Sequence, residues 1–290
     1  MLTKDHASWG YAASTGLGFT HEEIVQAHFD ACAPHYQAAL DQAGIRAGWH
    51  VLDAGCGSGA FLPWLADLVG PHGRVTAVDL AEENAALAAE RMHRMRATCA
   101  FDVRQGDILD LPYQDGTFDA VWCANTTQYL DDDELLRALR EMRRVVRPGG
   151  IVAVKDLDAS LITARPADPF LFTDFFRNAA RTPGYARQLL RTRDLHRALS
   201  AAGLVSVRQH TMLIEHHAPL HPAALRFYAL ACARIARQAL DLGFAGDWEP
   251  FLDPDGEANP LRHPQSYISE GNTVAVGIVL PAADAGQESA

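Results

Sequence analysis

The 290-residue chain has no cysteine pair at CxxC spacing, few basic side chains and no apolar run near the roughly 20 residues that a bilayer crossing needs. Its five cysteines, Cys32, Cys56, Cys99, Cys123 and Cys232, are odd in number. At least three fall in segments predicted as core, so they read as reduced, buried small hydrophobes and not as a disulfide framework. Only 25 lysines and arginines face 36 acids, and the formal charge of −11 disfavours a phosphate-backbone partner, hence nucleic acid. The opening Met1-Leu2-Thr3-Lys4-Asp5-His6 has one lysine and no apolar h-region, so a cytoplasmic chain without a membrane partner is expected. No internal repeat is visible. What is present is ordinary globular composition, 48% hydrophobic and 21% charged, on a length that suits one large α/β domain with insertions or a core plus a cap.

Residues 51 to 59 read Val-Leu-Asp-Ala-Gly-Cys-Gly-Ser-Gly, an apolar strand stub that delivers Asp53 into a loop with glycine at every second position. Gly55, Gly57 and Gly59 carry no Cβ, so the loop lets a nucleotide-like cofactor touch main chain. The run through Ala60 also satisfies a permissive dinucleotide pattern, so the loop by itself leaves the cofactor open.

Strand and helix then alternate. Residues 20–43 predict one or two helices interrupted at Pro34, before the first strand at 49–53. A helix over 60–69 and a strand over 74–79 complete a right-handed crossover. A helix over 82–95 and strands over 98–105 and 118–124 follow. Asp131 to Glu134 open a helix with acids at its positive end, its stripe is Leu135, Leu139, Met142, Val145 and Val146, and Arg147-Pro148-Gly149-Gly150 stops it before a strand over 151–155. Beyond Asp156 the beat is lost. Residues 157–184, with four phenylalanines among prolines, predict an insertion; 192–202 a helix; 204–216 a strand; 219–242 a second helical insertion; 246–271 a loop; and 273–280 the last strand. The small, polar tail at 281–290 is expected to be disordered. The resulting organisation is an N-terminal helical lid at 1–48, a cofactor-binding core at 49–156, a cap at 157–191 and a C-terminal part of the core at 192–280, with a helical insertion at about 218–270.

Five pieces, Phe29-Asp30-Ala31-Cys32-Ala33-Pro34-His35-Tyr36, residues 51–59, Ala77-Val78-Asp79-Leu80, Gly106-Asp107-Ile108-Leu109-Asp110-Leu111-Pro112 and Arg147-Pro148-Gly149-Gly150, are held in common with one family. Residues 28–156 resemble the class I S-adenosylmethionine-dependent methyltransferases, in the small-molecule branch akin to methyltransferase types 11 and 25. The resemblance implies an α/β, Rossmann-like, seven-stranded and mostly parallel sheet, the last strand antiparallel. Helices cover both faces, with a helical lid and helical substrate-side insertions. It implies S-adenosyl-L-methionine as cofactor, with Asp53 at the methionine end, Asp79 accepting from the ribose hydroxyls, Asp107 from the adenine amino group and Ile108 covering the ring. Tyr36, Gly55, Cys56, Gly57, Gly59, Leu80, Gly106 and Asn125 complete the implied cofactor site. Adenosylmethionine carries an ammonium and a sulfonium and no phosphate, so acids beside the loop suit it better than a pyrophosphate. A third acid, Asp107, is not expected of an NAD(P)-dependent oxidoreductase.

The expected reaction is methyl transfer to O, N or C of a small, moderately apolar metabolite; the alternative keeps adenosylmethionine on a scaffold that catalyses another reaction, such as a cyclisation, or is silent. Because sulfonium displacement releases a neutral thioether, alignment does much of the work and a base is needed only for an acceptor that must lose a proton. The fourth strand ends in Asn125-Thr126-Thr127-Gln128-Tyr129, unlike the Asn-Pro-Pro-Tyr motif of enzymes that methylate base amines. Gln128, Tyr129, Phe172 and Phe176 are candidate pocket walls. Arg187 and Arg191, four apart, are candidates to clamp an acidic acceptor. His216, His217 and His263 are weak candidates for a base. No HxxxH pair accompanies a carboxylate on a clear helix, so no metal is expected. A monomer or homodimer is expected.

Overall fold

A computed structural model describes residues 10–12 and 18–280, with side chains from residue 21 onward. The tail at 281–290 and most of residues 1–20 therefore lie outside the described residues. Among the described residues no helix is long and apolar enough to cross a membrane. The chain divides into two compact units: residues 1–39, 156–193 and 211–273 form one, and residues 40–155, 194–210 and 274–290 the other.

The second unit carries the sheet. After a small antiparallel ladder in the first unit, β1 (Gly10–Ala12) with β2 (Gly18–Thr20), and helix α1 (Glu22–Ala43), the order is β3 (His50–Ala54), α2 (Leu62–Val69), β4 (Arg74–Asp79), α3 (Glu82–Met95), β5 (Ala100–Gln105), β6 (Phe118–Ala124), α4 (Asp132–Val145) and β7 (Val146–Arg165). Later come α5 (Leu171–Ala179), α6 (Tyr185–Arg191), α7 (Leu195–Ala201), β8 (Val205–His217), α8 (Pro222–Asp241) and β9 (Tyr267–Ile278). The strands lie in the order β5-β4-β3-β6-β7-β9-β8, six parallel and the last in sequence antiparallel. Strands β3, β4 and β6 are buried nearly throughout, as expected of parallel strands covered by helices on both faces. Edge strand β5 is largely open and carries the charged pair Asp102 and Arg104, which discourages further pairing.

Helix α4 starts where the sequence says it should. Asp131 accepts from the Glu134 backbone N–H while the Glu134 carboxylate accepts from the Asp131 N–H, a complete capping box on α4. Leu135, Ala138, Leu139, Met142 and Val145 then bury one stripe against Val121, Val152 and Val154 of the sheet's core. Pro34 differs from expectation: it lies inside an unbroken α1. One missing N–H leaves the rest of a 22-residue helix intact.

Two strands outrun their expected limits. The strand expected at 151–155 is part of a 20-residue β7 that continues to Arg165, and the last strand begins at Tyr267 instead of residue 273. Residues 157–165 and 267–272 show little of the apolar run of the core strands, which is why periodicity missed them. Their continuations, with that of β8, belong to the first unit. There α5, α6 and α8 pack around Phe172, Phe175, Phe176, Phe227, Trp248 and Phe251. Phe172 meets Trp248 and Phe251 edge to face, with centroids 5.5 and 5.2 Å apart.

Candidate functional site

The C-terminal ends of β3, β4 and β6 bring together the glycine loop, Asp53, Asp79 and the Asn125-Thr126 turn. The glycines divide by role. A Cβ on Gly55 would lie 2.3 Å from Thr126 Cγ2, and one on Gly59 would lie 2.8 Å from Leu62 Cδ1. Those two spaces are filled by the protein itself. Only at Gly57, where φ is +53°, would a Cβ meet nothing within 4 Å among the three. Gly57 is thus the one of the three whose missing Cβ leaves open space, while Gly55 and Gly59 let the loop close onto β6 and α3.

Around Gly57 the polar groups converge. Asp79, at the end of β4 and 6% exposed, accepts from Gly57 N–H at 2.8 Å, Ala81 N–H at 3.0 Å and Asn84 Nδ2 at 3.0 Å. Burial raises its pKa, against the pull of those three bonds. Asp53 is 2% exposed and its Oδ2 is buried with no hydrogen-bond partner. Burial, then the neighbouring charge of Asp79, lifts the Asp53 carboxyl from 3.8 to about 8. Cys56 sits beside both acids, and burial followed by their charges drives its thiol well up, so it is no nucleophile.

The β6 end is fastened to β7 and to the loop. Asn125 adopts a left-handed φ of +55°, its N–H donates to Lys155 O at 2.7 Å, and its Oδ1 accepts from Lys155 Nζ at 2.7 Å. Lys155 is fully buried. Thr126 Oγ1 donates to Gly55 O at 2.9 Å. No periodic signal marks Lys155, Thr126 or Asn84 in the sequence; a lysine ending an apolar strand is the one cue available. Gly106, whose N–H donates to Asp79 O at 2.9 Å, leads to Asp107. Asp107 is exposed and accepts from Leu109 N–H at 2.8 Å, a turn role that leaves its second oxygen for another donor. Ile108 is buried and Leu80 half-buried.

Three features suit S-adenosylmethionine: a buried carboxylate oxygen without a donor, a second carboxylate with spare accepting capacity, and a space at Gly57 that a Cβ would fill. The comparisons agree. The methyltransferase-domain family profile matches residues 51–150. A 2-phytyl-1,4-naphtoquinone methyltransferase of Synechococcus elongatus is 30% identical over 165 residues, 51% of this chain and 67% of the relative. The chain belongs to the S-adenosylmethionine-dependent methyltransferase family. A chloroplastic 2-phytyl-1,4-beta-naphthoquinone methyltransferase of Arabidopsis thaliana is 36% identical over 124 residues, 42% of this chain and 47% of the relative, so about half of that relative's length is spanned. The YcgJ protein of Bacillus shares the fold at TM-score 0.53 and 21% identity, over 86% of this chain and all of the other.

The remaining candidate residues are dispersed. Gln128 is 7% exposed, with Oε1 buried and unpartnered, whereas Tyr129 is 56% exposed. Tyr36 lies in the first unit on α1, fully buried, its hydroxyl 3.3 Å from His28 Nε2. Phe172 and Phe176 sit in that unit's aromatic core. Arg187 and Arg191 both fall on α6, four residues apart as expected. His263 is exposed and its Nδ1 accepts from Gln265 N–H at 3.1 Å, and His217 is exposed beside Tyr267. His216 is half-buried, its Nε2 has no hydrogen-bond partner, and burial lowers its pKa despite the nearby Glu270.

Proposed function

We propose that the protein transfers a methyl group from S-adenosylmethionine to O, N or C of a small, moderately apolar acceptor. The observation that carries this reading is the pairing of buried Asp53, one oxygen unpartnered, with buried Asp79 around the open space at Gly57. When bound, the cofactor supplies a methyl group made electrophilic by its sulfonium. Asp53 would face its ammonium, Asp79 its ribose, Asp107 and Ile108 its adenine, and Asn125 its reactive end. A carboxylate accepts about four hydrogen bonds. With three donors already on Asp79, one ribose hydroxyl can be added, and a second displaces Asn84 or Gly57. Relatives named as quinone methyltransferases support an apolar, ring-bearing acceptor. The chain's charge of −11 supports an acceptor other than nucleic acid.

Incubation with methyl-labelled adenosylmethionine and a panel of hydroquinones, phenols and amines tests the reading. Label in an extracted apolar product is expected. Tight donor binding with no label transferred to any acceptor class would favour a non-transferring scaffold instead.

A further inference from the structure

Helix α1 carries His28, Cys32 and Tyr36 at successive four-residue steps, which places them along one face. Within the first unit that face meets Glu270 of β9, whose carboxylate is 1% exposed. His28 Nε2 lies 2.9 and 3.0 Å from the two carboxylate oxygens, and Cys32 Sγ lies 3.7 Å from Oε1. One donor atom from each of the three residues fits within 4.8 Å of the others. Their surroundings are built rather than incidental. Asn272 Nδ2 donates to Glu270 Oε1 at 2.7 Å, Tyr36 hydroxyl approaches His28 at 3.3 Å, and Phe227 stacks on the imidazole at 3.8 Å between centroids. Tyr228 hydroxyl lies 3.6 Å from Cys32 Sγ, and the His216 ring is 5.3 Å from that of Tyr228.

We propose that His28, Cys32 and Glu270 bind a divalent transition-metal ion of the zinc type, through Nε2, Sγ and the carboxylate. A nitrogen, a sulfur and an oxygen donor are the ligand set of zinc, and a thiolate excludes magnesium and calcium. Two ligands four apart on a helix with a third from elsewhere is a common way to seat such an ion. Zinc bonds of about 2.0–2.3 Å give tetrahedral edges of roughly 3.3–3.6 Å. The Cys32–Glu270 separation of 3.7 Å closes by about 0.1 Å or slightly more, and the His28–Glu270 pair opens by a few tenths of an ångström. Binding releases the Cys32 thiol proton, while His28 presents its Nε2 lone pair with the ring proton on Nδ1. A carboxylate as buried as Glu270 keeps its charge only where it is paired or coordinates a metal. Asn272 and Tyr36 orient the ligands from outside. Three protein ligands leave a fourth position open, as in zinc sites that bind a further molecule. The proposal does not rest on the methyl-donor reading.

The full-length, tag-free, metal-stripped protein titrated with Zn²⁺ and Co²⁺ tests it. One equivalent of Zn²⁺ should bind at micromolar affinity or tighter in excess Mg²⁺. Co²⁺ should produce a thiolate-to-metal absorption band. Cys32→Ser should abolish the band, Glu270→Gln should weaken Zn²⁺ by at least about tenfold, and Cys99→Ser should change neither. Absence of stoichiometric binding by the native protein overturns the proposal, as does a band that survives in folded Cys32→Ser. Should that variant fail to fold, His28→Gln decides: at least tenfold weaker Zn²⁺ supports the site, and unchanged affinity overturns it.

Discussion

Asp53 and Gly57 show how single residues trade stability for binding. Folding raises the Asp53 pKa from 3.8 to about 8, so the folded chain holds a proton that the unfolded chain releases. The resulting stability is full below about pH 4 and is lost as pH rises towards 8. Asp53→Asn is therefore expected to raise the melting temperature of the ligand-free protein more at pH 8 than at pH 5, by about 2–4 °C per kcal/mol, while weakening donor binding. A pH-independent change in thermal scans would contradict this. The glycines give a second contrast. Gly55→Ala adds a clash with Thr126 to its positive φ and should cost about 2–3 kcal/mol or more in denaturant melts. Gly57→Ala has only its positive φ to bear and should cost roughly 1–2 kcal/mol, yet it should weaken the donor at least tenfold. Equal effects on stability and on binding for the two variants would remove Gly57 from the cradle.

At the scale of the element, local chemistry decided how much was legible. The 82–95 helix was readable to its ends because Glu82 and Glu83 lie at its start and Ala85, Ala88 and Met92 form its stripe. Asp131 was readable for the same reason, and Asp131→Ala should lower stability by about 1 kcal/mol, measured by chemical denaturation; no loss would mean the capping box contributes nothing. The limits of β7 and β9 were not readable, since residues 157–165 and 267–272 interrupt the apolar run with polar residues such as Asp158, Ser160 and Ser269. Asp53 and Asp79 could be picked out by their position after apolar strands. Lys155 carries no more than its place at the end of an apolar strand, because its pairing with Asn125 is made across β6 and β7. Likewise His28 and Glu270 are 242 residues apart, and no local pattern joins them.

For the whole molecule, the proposed function assigns the cofactor to the parallel sheet and the acceptor to the remaining residues. The family match falls on residues 51–150, and the unit built from residues 1–39, 156–193 and 211–273 lies outside it. That unit holds Tyr36 and the candidate acceptor-side residues Phe172, Arg187 and His216. The central claim concerns the sheet, and calorimetry with S-adenosylhomocysteine, S-adenosylmethionine and NAD tests it most directly. The account predicts one-to-one micromolar binding of both adenosyl compounds, weakened at least tenfold, about 1.4 kcal/mol, by Asp79→Ala. Binding of NAD alone, or donor affinity indifferent to Asp79→Ala, would contradict it.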